Sequence, residues 1–159
     1  APRWWVSVIM ITNTVGVTLF QVAASKGTGQ IFGGAKAYRR ASVAVAGACL
    51  LYAMAHGVNV YFASLLLILA MAVHTYGELI GSAGSWSIGF GLADDKHQGQ
   101  YQGVWSLSWG IGGTLGPAFV TAMAITLGQE GWFIMAGIFL INGILMHKLV
   151  TRSWISTPA

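Results

Sequence analysis

From Val60 to Leu92 the chain carries one charged side chain, Glu78. Upstream of it, residues 63–73 read ASLLLILAMAV. As a helix at 1.5 Å per residue, residues 60–92 reach roughly 48 Å, more than the about 30 Å of bilayer hydrocarbon. The rest of the chain repeats the pattern. Of 159 residues, 55% are hydrophobic and 8% charged, against about 25% charged in a soluble domain. So few charges cannot cover a water-facing surface, and the sequence reads as an all-α integral membrane protein. A transmembrane barrel needs short segments of alternating polarity, and these runs are long and continuously apolar. Nucleic-acid binding is excluded because the basic residues are few and scattered among oily segments. Cys49 has no disulfide partner and no metal-ligand spacing, and no cofactor is implied. The start, APRWWV, lacks the signal-peptide pattern and reads as a piece cut from a longer protein.

A helix needs about 20 apolar residues to span hydrocarbon, and five segments qualify or come close: 4–24, 41–55, 60–92, 101–127 and 131–150. They are expected to form one membrane domain, a five-span helical bundle. The connections are then 25–40, 56–59, 93–100 and 128–130. Lys26, Lys36, Arg39, Arg40, Lys96, Lys148 and Arg152 fall on one side of the bundle, and Arg3 alone on the other. Cytoplasmic loops carry the excess of Lys and Arg. The expected topology is therefore N-terminus outside and C-terminus in the cytoplasm, in the cell membrane. Trp4, Trp5, Trp132 and Trp154 lie near helix ends, where indoles sit at the membrane interface.

Polar residues inside the spans are the candidate functional groups. A charge at a helix centre costs about 2.5–3.5 kcal/mol on insertion scales, so Glu78 is expected to face an interior or a watery cavity. Two roles fit it. Desolvation favours the neutral form of a carboxyl, so it can load and release a proton as access alternates. It can equally fix helix packing through a hydrogen bond. His74, four residues earlier, shares its helix face and either relays protons or packs; metal binding would need a third ligand. Asn13, Gln21 and Asn142 either line a cavity or join helices, since amides in lipid seek partners. Trp105 and Trp109, one turn apart, either wall a pocket for apolar cations or fill the core. Gly112 and Gly116 form a GxxxG pair that permits close helix approach. Pro117 removes a backbone donor and favours a kink, static or working as a hinge. Arg39 and Arg40 on one cytoplasmic connection, and Asp94 and Asp95 on the other, are a candidate gate or simple orientation charges. No nucleophile elbow, phosphate loop or zinc spacing is present, so no enzyme is expected.

These features resemble the C-terminal half of a major facilitator superfamily transporter, helices eight to twelve, over essentially the whole length. The similarity rests on AYRR at 37–40, GEL at 77–79, DDKHQGQYQGVWSLSWG at 94–110, and GGTLGPAF at 112–119. The last is similar to the Gly-x-x-x-Gly-Pro element of proton-coupled drug exporters. The chain departs from the family pattern in two places. Residues 25–40 contain no Asp, and Ala118, Phe119 and Val120 stand where the antiporter pattern has glycines. The resemblance implies one part of a secondary transporter that moves a small molecule by alternating access, with proton-coupled efflux by an antiporter as one form. Its partners would be the lipid bilayer, a small-molecule substrate, protons and the missing N-terminal half. A helical membrane subunit or scaffold that transports nothing is the alternative.

Overall fold

The computed structural model describes residues 5–93 and 96–155. They form five α-helices: α1 (Trp5–Ala24), α2 (Ile31–Met54), α3 (Val60–Gly91), α4 (Gln98–Thr126) and α5 (Gln129–Ile155). The number and order of the expected segments hold, and no strand occurs among the described residues. The turns use glycine where the chain must reverse. Gly27, Gly57 and Gly128 all have positive φ, a conformation glycine adopts without steric cost. Asn59 caps α3 by accepting the Phe62 amide at 2.9 Å, satisfying one of the donors that a helix start leaves free.

The largest departure from expectation is the start of α2, at Ile31 rather than residue 41. Lys36, Arg39 and Arg40 make residues 31–40 too polar for hydrocarbon, and the segment was expected to be a loop. Polarity forbids lipid burial, not helix formation. Packing holds this helical turn region in place. Ile31, Ala35, Ile88 and Val150 form one buried cluster, with Tyr38 and Met146 against it. A second cluster joins Ala46 and Cys49 of α2 to Met135 and Ala136 of α5. α2 thus lies between α3 and α5 and runs antiparallel to both, while α1 packs on α3.

The α2–α3 seam depends on small residues. A Cβ added to Gly84 would stand 2.7 Å from the Gly34 carbonyl oxygen and 2.8 Å from the Tyr38 amide nitrogen. One added to Gly77 would meet the Val45 side chain at 2.8 Å, and one on Gly81 would meet the Ala41 Cβ at 3.0 Å. Gly77, Gly81 and Gly84 share a helix face, and their lack of side chains lets the two backbones approach closely.

α4 is different. None of its residues is buried. It meets α5 beside their shared turn, where Gly131 lies against Met123, and α3 where Trp105 covers Gly89. Nothing lies within 4 Å of a Cβ placed on Gly112 or Gly116. The GxxxG spacing therefore makes no helix contact among the described residues, and Pro117 sits inside a continuous helix. The spacing allows close approach without supplying the neighbour.

Two segments, Val60–Gly91 and Gln129–Arg152, are long and apolar enough to cross a membrane. In α1 the apolar stretch Met10–Ala24 is shorter. Only residues 41–54 of α2 are free of charge, and Gly, Ser, Thr and Gln dilute α4. Trp132, near the start of α5 where an interface was expected, meets Tyr52 in a tilted ring contact with centroids 4.8 Å apart and packs against the second cluster. Arg3 and Trp4 lie outside the described residues, as do the side chains of Trp5 and Trp154.

Candidate functional site

Glu78 meets α1. The Asn13 Nδ2 donates to Glu78 Oε2 at 3.0 Å, and the Thr75 hydroxyl donates to Asn13 Oδ1 at 2.5 Å. The amide is therefore held at both ends by one face of α3, since Thr75 and Glu78 are three residues apart. Gly16 keeps α1 close, because a Cβ there would stand 3.3 Å from the Thr75 methyl. The Asn13 bond fixes which way the Glu78 carboxyl points.

Beside Glu78 lies a cavity of about 370 Å³ to which all five helices contribute. Its polar lining is Gln21 from α1, Tyr38 and Ser42 from α2, and Glu78, Ser82 and Ser85 from α3. Trp109 of α4 and Phe139 of α5 complete the lining. The Tyr38 hydroxyl donates to Asn142 Oδ1 at 3.3 Å, a bond that joins α2 to α5. Ser42 is turned back on its own helix and donates to the Tyr38 carbonyl at 3.1 Å. Glu78 is the one carboxylate in this lining. The arrangement can hold a proton, or bind a small polar or cationic molecule between a carboxylate and an indole face.

Gln21, Glu78 and Trp109 thus line one cavity, Asn13 is bonded to Glu78, and Asn142 is reached only through Tyr38. His74 and Trp105 do not join them. His74 turns to Tyr52, ring centroids 6.5 Å apart, with its Nδ1 buried and lacking a hydrogen-bond partner. Sharing a face four residues apart still leaves the two side chains about 40° apart around the helix, enough to send one to α2 and the other to α1. Trp105 packs on Gly89 and against Trp86, centroids 6.1 Å apart. Its indole nitrogen is also buried without a partner. Arg39 and Arg40 are exposed within α2 rather than at its start. Asp94 and Asp95, the other half of the expected gate, lie outside the described residues.

Sequence reasoning missed Tyr38 and Thr75. Tyr38 fell in a segment read as a loop. Thr75 carried a usable signal, a hydroxyl one turn before Glu78 on the same face. No group of three potential metal ligands occurs among the described residues. In comparisons with known proteins, no family model, curated protein or solved structure matches the chain.

Proposed function

We propose that the chain is part of a secondary membrane transporter that moves a small molecule by alternating access, with Glu78 as the proton-carrying group. The observation that carries this reading is the cavity. A single carboxylate, oriented by Asn13, opens onto a mainly apolar space of about 370 Å³ between five helices, with a few polar side chains around it. The apolar outer surface supports membrane residence, as with Leu65 at 60% and Ile125 at 78% exposed, because contiguous apolar surface of this extent marks a membrane or partner contact. An intramembrane ionisable group is by default a functional one. In this reading a second helical half faces α4, whose residues are all unburied. The resemblance to the major facilitator superfamily agrees with that arrangement and stands on the motifs alone.

The test is solute flux into proteoliposomes of the complete protein, with and without a pH gradient. A panel of small polar and cationic solutes serves as the probe. At least one should accumulate when the gradient is imposed, and Glu78→Gln should abolish accumulation while leaving exchange of internal for external solute. Gradient-driven accumulation that survives Glu78→Gln ends the proton-carrier role, and a panel that never moves ends the transporter reading.

A further inference from the structure

The helix register assigns a depth to every charge. Gly34 faces Gly84 and Ser87, Ala41 faces Gly77 and Gly81, and Val45 faces Gly77. Arg39 and Arg40 are therefore level with about Gly81, one helical turn from Glu78. Lys36, Arg39 and Arg40 are all exposed. They lie on the outer face of α2, which bears Phe32 at the end nearer the helix start and Val43, Leu50 and Met54 beyond them, each also exposed. Along that face the three cations stand between exposed Phe32 and the exposed aliphatics that follow them. Among the described residues no acidic side chain stands at that end of the bundle, since Glu130 is at the opposite end of α5 and Glu78 faces α1.

We propose that Lys36, Arg39 and Arg40 form a contact surface for anionic phospholipid, and that this surface marks the hydrocarbon boundary one turn from Glu78. The inference rests on the chain being a membrane protein. One feature selects the occupant. The order of the face, three cations followed by exposed aliphatics, matches a lipid's own order of phosphate headgroup and acyl chain. About 20 residues from Gly81 back along α3 reach Val60, close to the 30 Å of a hydrocarbon core. The excess length of α3 then projects on the basic side, and Glu78 sits nearer that boundary than the membrane centre.

The experiment places the complete protein in nanodiscs that contain equal amounts of phosphatidylglycerol and phosphatidylcholine carrying the same spin-labelled chain. At low salt the phosphatidylglycerol should be enriched among lipids touching the protein. Raising the salt should reduce the enrichment, because exposed charges are screened within about 8–10 Å. The triple variant Lys36→Gln, Arg39→Gln, Arg40→Gln should lose it, at up to about fivefold per cation. Arg39→Lys with Arg40→Lys, which keeps the charge, should retain it and so guards against misfolding. Equal contact by both lipids at low salt, or enrichment unchanged in the triple variant, overturns the proposal. Release of the wild-type chain from membranes by alkaline carbonate would overturn the membrane reading with it.

Discussion

The Asn13 side chain makes two bonds that determine what Glu78 can do. Its amide nitrogen gives Glu78 a donor and its oxygen takes the Thr75 hydroxyl, so the carboxyl cannot turn toward His74 without losing a partner. Interhelical bonds of this kind in lipid average about 0.6 kcal/mol in double-mutant cycles. A cycle of Asn13→Leu and Glu78→Leu, read by unfolding in detergent, should give a coupling of about 0.5–1 kcal/mol. A coupling near zero would show that the bond is not made in solution. Much of this site was legible in advance. Glu78, Asn13 and Gln21 stand out because a polar side chain is rare in an apolar run, and its cost demands a partner or a cavity. The choice between partners was not legible. His74 and Thr75 are both within one turn of Glu78, and only the direction from which α1 approaches decides between them.

At the scale of elements, the same residue type has opposite consequences on two helices. Gly84 of α3 lies under the α2 backbone, whereas Gly113 of α4 has open space around it. Gly84→Ala forces a methyl group to within 2.7 Å of a carbonyl oxygen, and overpacking of that kind typically costs about 1–3 kcal/mol. Gly113→Ala adds a methyl without a clash and removes glycine's flexibility, a gain of up to about 1 kcal/mol in an exposed helix interior. Cys49, 3% exposed between α2 and α5, supplies the readout, since its thiol should react with a fluorogenic maleimide only as the bundle opens on heating. Gly84→Ala should lower that transition and Gly113→Ala should leave it or raise it. Helix number and order were legible because five mainly apolar segments alternate with short polar connections. The start of α2 was not, because the residues that stabilise it, Ile31 and Ala35, do so through Val150 and Ile88 far along the chain. Which glycines pack was equally hidden, since GxxxG spacing occurs on the free helix and the closest contacts occur on α3.

For the whole molecule, the distribution of charge and the antiparallel order make one prediction about orientation. Lys26, Lys36, Arg39, Arg40, Lys96, Lys148 and Arg152 all fall at the end where α1 leads into α2 and α3 into α4, and where Ile31, Ile88 and Val150 meet. The turns at 55–59 and 127–128 occupy the other end. If the positive side faces the cytoplasm, a thiol at either of these two turns should react with a membrane-impermeant maleimide in intact cells. Labels at the basic end should need permeabilised cells. In a Cys49→Ala background, His56→Cys and Gln129→Cys test the first end and Gly29→Cys the second. All three positions are exposed, and none has a backbone φ that disfavours a side chain. Labelling of Gly29→Cys without permeabilisation would invert the bundle, and with it the side from which a proton reaches Glu78. Equal labelling at both ends would mean that the helices do not span at all, leaving the Glu78 cavity as a feature of a helical bundle packed against other proteins. The three substitutions decide among these outcomes without knowledge of any substrate, because they report only where each turn lies.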